Sequence, residues 1–269
     1  MEQDVLKKLH EHELLILKNF HEYCKKHNLT YYLIGGALLG AKRYGGFIPW
    51  DDDIDVAMFR EDYNKLQALW EKEPIDGCFL QSGKTDPKFA RGILKIRMND
   101  TKALEYTSRN IDIHHGIYID IFPIDYTSNK YNIRMEIVGG LIKRLLSLRS
   151  IKSGYSGTKY CSIKSVIKHL LPLSAKQIDL LIEKLSTAEN DKEREFAVLW
   201  VHNYGWKKQL HKTSVFGNSC ECKFENFVFS APCDTHSFLS QVFGEDYLQE
   251  PPDDKKKLPH SYIEIEFKG

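Results

Sequence analysis

The chain is 269 residues long, 42% hydrophobic and 28% charged, with a formal net charge of +1. That length and apolar fraction support the core of one large domain, or of one domain with an elaborated second lobe. The balance of 38 Lys and Arg against 37 Asp and Glu argues against the strong field by which proteins adsorb to nucleic acid or anionic membranes.

In chain order, the first segment reads as an amphipathic helix. Leu6, Leu9, Leu14, Leu17, Phe20 and Cys24 recur at three- and four-residue steps, interrupted by the polar Glu13, and His27-Asn28 is its stop. Thr30 to Ile34 is β-branched and aromatic, a short strand. Gly35-Gly36 breaks it, Ala37 to Ala41 opens a helix, and Gly45-Gly46 ends that helix before Pro49 keeps the chain extended. Asp53 to Met58 alternates as a half-buried strand, and Glu61 to Trp70 returns to helical spacing. Short strands follow at Gly77–Gln81, Gly92–Arg97 and Ile117–Phe122. From about Lys130 the pattern is mostly helical, at Ile133–Leu148 and Ala175–Leu185, and the tail from Asn226 to Phe267 is aromatic and irregular. The order predicts an α/β or α+β architecture, a mixed sheet flanked by helices, with a largely helical C-terminal part. The expected division is a core over 1–128 with its N-terminal helix, and a helical part over 129–269 that completes one compact unit.

The six Cys, at 24, 78, 161, 220, 222 and 233, form no C-x-x-C pair, and a single residue separates Cys220 from Cys222, a poor zinc spacing. We read them as reduced thiols of a cytoplasmic protein. Met1-Glu2-Gln3-Asp4 lacks the basic start of a signal peptide. The longest candidate span, Ile137–Ile142, falls far short of the roughly 20 apolar residues a transmembrane helix needs. The expectation is a soluble chain without a transmembrane segment.

The informative segment is Pro49-Trp50-Asp51-Asp52-Asp53-Ile54-Asp55-Val56. Strand side chains repeat every two residues, so Asp53 and Asp55 share a face. Adjacent carboxylates repel and call for a cation, a shared proton or a basic neighbour; hard oxygen ligands suit Mg²⁺ or Mn²⁺. Asp120, inside the apolar Tyr118-Ile119-Asp120-Ile121-Phe122, is costly to bury without a partner and would complete such a site. A solvated acidic turn remains open for the first cluster, and a core Asp satisfied by backbone donors for Asp120. An EF-hand loop from Asp51 to Asp62 is disfavoured by Val56 where Gly is required. The Gly35-Gly36 turn ahead of a helix would let backbone approach a phosphate, although it is neither a dinucleotide nor a Walker fingerprint.

Gly35-Gly36-Ala37-Leu38-Leu39-Gly40-Ala41-Lys42-Arg43-Tyr44-Gly45-Gly46-Phe47-Ile48-Pro49-Trp50-Asp51-Asp52-Asp53-Ile54-Asp55 closely resembles the signature of the LicD family. Arg60-Glu61-Asp62-Tyr63 and Gly116-Ile117-Tyr118-Ile119-Asp120-Ile121-Phe122-Pro123-Ile124-Asp125 resemble its further motifs, and Ala231-Pro232, Phe243 to Tyr247, Pro251-Pro252 and His260 its tail. Lys42 departs from the small or apolar residue common there. The resemblance implies a nucleotidyltransferase fold and Mg²⁺- or Mn²⁺-dependent transfer of phosphocholine from CDP-choline to a lipopolysaccharide or teichoic acid sugar, met from the cytoplasmic side of the membrane. Related families transfer ribitol phosphate, and a cation- or nucleotide-binding module without turnover is the remaining alternative. On this reading Asp53, Asp55 and Asp120 are catalytic and metal-holding. Gly35, Gly36, Arg43 and Lys95 are placed at the phosphates, Trp50, Tyr106, Tyr118 and Tyr247 are the aromatics for choline, and Asp51, Arg97 and His260 are weaker candidates.

Overall fold

The computed structural model describes residues 3–128, 133–155, 173–256, 258 and 260–267. Helix α1 (Gln3–Lys26) buries Leu6, Leu9, Ile16, Leu17, Phe20 and Cys24 on one stripe, and Lys25 and Lys26 complement the dipole in its last turn. Strand β1 (Tyr32–Leu33) leads into α2 (Gly35–Arg43). Strand β2 (Asp55–Phe59) is followed by α3 (Arg60–Trp70), whose first turn carries Glu61 and Asp62, the charges its positive end favours. Strands β3 (Cys78–Gln81), β4 (Leu94–Met98), β5 (Lys102–Glu105) and β6 (Tyr118–Thr127) complete the first half.

One mixed sheet runs β1-β2-β6-β4-β3. Among the described residues its single parallel pair is β2 with β6, with Asp55 opposite Asp120 and Val56 opposite Ile121. On the other edge of β6, antiparallel β4 sets Lys95 opposite Asp120. The sequence places the end of β6 at Phe122, before Pro123, yet the strand continues to Thr127. Pairing with β4 stops at Ile121 and pairing with β7 (Phe196–Val198) starts at Asp125. Pro123 falls in that gap, where its missing N–H removes no bond on that edge. Helix α1 packs on β6 and β4, and α2 and α3 on β2.

In the second half, α4 (Ile133–Ser153) packs against α5 (Ala175–Ser186) over a second core of Met135, Ile142, Leu145, Ile178, Ile182 and Trp200. The latter helix opens on a full capping box between Ser174 and Gln177. Beyond the helices this half contributes β7, β8 (Leu210–Lys212), the hairpin of β9 (Cys220–Phe224) and β10 (Phe227–Ala231), α6 (Thr235–Phe243) and β11 (Tyr262–Glu266). The tail is therefore ordered into strand, helix and strand rather than irregular. Its strands are too short for a periodic signal, and β11 is defined by pairing with distant β5. The reading of all cysteines as thiols is also corrected: Cys220 and Cys233 form a disulfide, while Cys24 and Cys222 are free and Cys161 lies outside the described residues. The hairpin brings these two together across thirteen positions, which spacing alone does not announce.

A buried ion pair ties the end of β6 to the start of α3. Arg60 donates to both carboxylate oxygens of Asp125 at 2.8 and 2.7 Å, and Asn190 Nδ2 donates to Oδ1 at 2.7 Å. Removing one partner of such a pair leaves an uncompensated charge in low dielectric. Asp125→Ala should lower the free energy of unfolding by about 3 kcal/mol or more, measured by denaturant titration.

Candidate active site

The site begins where β1 ends. Ile34 N–H donates to the Asp55 carbonyl at 3.1 Å, and the chain then turns through Gly35 at φ +56° into α2. A Cβ on Gly35 would stand 2.8 Å from Asp55 Oδ2, and one on Gly36 would stand 2.1 Å from Asp51 Oδ2. The glycines thus admit two carboxylates to the positive end of a helix whose N-cap, Ile34, offers no side-chain acceptor.

Asp53, Asp55 and Asp120 each present a carboxylate oxygen within 4.8 Å of the others, and Asp51, Asp52 and Asp53 do likewise. Lys95 Nζ lies 2.6 Å from Asp120 Oδ1, a close charge contact that lacks hydrogen-bond alignment. Burial, and then the charges of Asp55, Asp51 and Asp120, hold Asp53 well above the usual carboxylate range. Asp51 is pushed up to about 7 by burial, with Asp55 and Asp52 adding to it. Burial raises Asp120 as well, opposed by Lys95, while burial lowers Lys95, opposed by Asp120.

A ring of supports holds the acidic loop. His10 Nε2 bonds the Asp51 carbonyl at 2.8 Å. Asp52 is wholly buried and accepts from His260 N–H at 3.2 Å and bonds His260 Nδ1 at 2.9 Å. Burial would lower His260, but its bond to Asp52 and the charge of Glu105 outweigh burial and raise it. Burial would raise Glu105, but Lys95 and Arg91, with His260 and Arg97, bring it down to about 2. Glu13, the polar interruption in α1, is buried at 1% exposure, and burial followed by Asp52 and Asp51 raises it well above its ordinary value. Beside Asp120 lies a polar cavity lined by Arg91, Lys95, Glu105, Asn203 and His260.

Residues 28–139 match the family model described as LicD/FKTN/FKRP, nucleotidyltransferase domain. Over 250 residues the chain is 27% identical to the lipopolysaccharide cholinephosphotransferase LicD of Haemophilus influenzae, covering 92% of each chain. It is 49% identical over 41 residues to the human ribitol 5-phosphate transferase FKRP, a match covering 15% of this chain and 8% of that one. An uncharacterized protein of Rickettsia prowazekii is 43% identical over 54 residues, 20% of each chain. Residues 28–139 form a LicD-type domain.

Within this LicD-type domain the candidates separate. Asp53, Asp55, Asp120, Asp51, Gly35, Gly36 and Lys95 come together. Arg43 instead donates to the Tyr247 carbonyl, bracing the tail. Arg97 is buried on Gln81 and the Gly116 carbonyl, both at 2.6 Å. The aromatics proposed for choline already carry cations of the chain itself. Lys95 and Arg97 lie over the Tyr118 ring at 3.3 and 4.7 Å, Lys256 over Trp50 at 5.2 Å, and Arg109 over Tyr106 at 3.7 Å. Tyr247 is buried, with its hydroxyl 3.3 Å from His236 Nδ1.

Sequence reading missed Asp52, Arg91, Glu105, His202 and Tyr204. Tyr204 is 44% exposed, and after burial the charges of Asp55, Asp51 and Asp53 raise its hydroxyl most. Its ring meets Phe243 edge-on at 5.2 Å. Asp52 was legible as part of the run; the others stand in segments without a local pattern.

A carboxyl whose folded pKa is raised adds stability that is full below its unfolded value and lost as pH rises through the folded value. For Asp51 that window runs from the ordinary carboxylate range to about 7. In chelator-treated protein, Asp51→Asn should therefore gain on the wild type by about 1 kcal/mol or more between pH 5 and pH 8, read as the difference in unfolding free energy at each pH.

Proposed function

We propose that this chain is a Mg²⁺-dependent transferase that moves phosphocholine from CDP-choline to a hydroxyl of a cell-surface glycan of the lipopolysaccharide or teichoic acid type. The observation that carries this is the meeting of Asp53, Asp55 and Asp120 within 4.8 Å beside a cavity that Arg91, Lys95 and Glu105 line. The likeness over 92% of the chain to a lipopolysaccharide cholinephosphotransferase supports the choice of phosphocholine.

The donor set fits a hard divalent cation: carboxylate oxygens only, crowded by their own repulsion, with Asp53 and Asp120 driven upward by burial and neighbouring carboxylates. Asp53 and Asp55 would hold Mg²⁺ or Mn²⁺, with Asp120 completing the set. When bound, the ion offsets charge on the donor diphosphate and on the departing CMP.

The remaining work falls to the chain. Lys95, Arg91 and His260 line the cavity as positive walls for a phosphate-bearing donor. Lys95 also keeps Asp120 from rising as far as burial alone would take it. We assign to Asp120 the second task of accepting the proton of the acceptor hydroxyl as it attacks the choline-bearing phosphorus in line. A quaternary ammonium cannot take hydrogen bonds and favours aromatic surface, which Tyr204 and Phe243 offer beside the carboxylates.

No helix among the described residues is long and apolar enough to cross a membrane. We place the enzyme at the cytoplasmic face, meeting a lipid-linked glycan there. A second reading, transfer of ribitol phosphate from a CDP donor, draws on the 41-residue likeness to FKRP.

Asp53→Asn and Asp55→Asn should each lower CMP release from CDP-choline at saturating Mg²⁺ by at least about a hundredfold, since even outer-shell losses cost 10–100-fold. Neither should lower the melting temperature, because each relieves like-charge repulsion. Near-normal turnover in either variant would sink the metal assignment. A screen of CDP-choline, CDP-ribitol, CDP-glycerol and nucleoside triphosphates, scored for CMP or pyrophosphate, decides the donor. The expected result is CMP from CDP-choline and no pyrophosphate from the triphosphates.

A further inference from the structure

His202 lies in the loop between β7 and β8, far in sequence from every acidic residue of the site. It is 5% exposed, and its Nε2 approaches Asp55 Oδ2 at 3.7 Å. That separation is too long for a hydrogen bond, and Nε2 has no hydrogen-bond partner among the described residues.

The protonation of the ring follows from its other nitrogen. The backbone N–H of Tyr204 donates to His202 Nδ1 at 3.3 Å. An Nδ1 that accepts carries no proton, so the neutral ring bears its hydrogen on Nε2. The ring is fixed in orientation, tilted on Phe122 at 4.5 Å and stacked on Tyr204 at 5.0 Å. Phe122 follows Asp120 by two positions on β6 and so stands on the same face of the strand. The result is a buried, oriented N–H facing Asp55 across 3.7 Å, with nothing bonded to it among the described residues.

Buried donors without acceptors are rare in native proteins, and one at a candidate active site calls for a missing partner. We propose that His202 Nε2–H is the hydrogen-bond donor to a non-bridging oxygen of the donor's diphosphate, a ligand group that only accepts. This assignment rests on the reading of the chain as a transferase using a diphosphate-linked donor.

Two substitutions separate this role from a packing role. His202→Phe keeps a ring between Phe122 and Tyr204 but removes the N–H. His202→Gln loses the ring but offers an N–H at similar reach. The measurements are calorimetric affinity for CDP at fixed MgCl₂, the melting temperature, and the KM and kcat for CDP-choline in CMP release. His202→Phe should weaken CDP binding about tenfold or more, the size expected for a hydrogen bond to a charged group. The same variant should raise the donor KM while its melting temperature stays near wild type. His202→Gln should recover most of the affinity despite lower thermal stability.

A packing role gives the opposite order, with Phe tolerated and Gln not. Wild-type CDP affinity in His202→Phe, or equal loss in both variants, overturns the assignment while leaving the transferase reading standing. If wild type itself ignores CDP, the CDP-donor reading fails, and the same comparison with inorganic pyrophosphate then decides His202. No binding of pyrophosphate, or equal binding by wild type and His202→Phe, overturns it there.

Discussion

The structure turns on carboxylates crowded at the one parallel seam of the sheet. Register puts Asp55 directly opposite Asp120, and the loop entering β2 adds Asp51, Asp52 and Asp53. Left alone, these charges would push the seam apart. What surrounds them reads as a response. Lys95 arrives on β4 in register with Asp120, the positive end of α2 comes up under Asp51 and Asp55 through two glycines, and His260 grips Asp52. The compensation is incomplete, since Asp51, Asp53 and Asp120 all remain raised. On the proposed function, a divalent cation would supply the balance that the fold withholds.

This arrangement separates what sequence displays from what it hides. Strand period suggests that Asp53 and Asp55 lie close, although β2 starts only at Asp55 and Asp53 stands in the loop that enters it, and a lone Asp in the apolar run around Asp120 is a local anomaly. Both were legible for that reason. The extent of β6 was not, because Pro123 is harmless only through a gap between β4 and β7 that pairing creates. The aromatic candidates show the same limit. Tyr118 and Trp50 looked available for an ammonium group, yet Lys95, Arg97 and Lys256 occupy their neighbourhoods. Arg43 sits inside the most telling motif but reaches for the Tyr247 carbonyl. A motif fixes where the backbone goes; it does not fix which side chain of the motif reaches the chemistry.

Glu13 adds a case between the two. It breaks the apolar stripe of α1, which marks it without explaining it. The structure shows that the break faces the acidic loop, beside Asp52 and Asp51, where burial favours the protonated form. That direction limits the charge added beside Asp51 and Asp52.

The residues that complete the cavity come from the part of the chain with the weakest sequence signal. The family match ends at residue 139, whereas Val201, Asn203 and His260 of the cavity wall lie beyond it, as do His202, Tyr204 and Tyr262, which adjoin the acidic residues. Two unrelated segments deliver them, the β7–β8 loop hung from the far end of β6 and the tail strand β11 laid along β5. Neither could act without the matched domain, because His260 holds its place through Asp52, and His202 is set by Phe122 on the strand of Asp120. The dependence also runs the other way. Without His260, Asp52 would be a fully buried carboxylate stripped of its basic partner, a costly state at a seam already short of positive charge. The carboxylates gather at the seam, and the later segments close the space beside it with residues that the matched region does not contain.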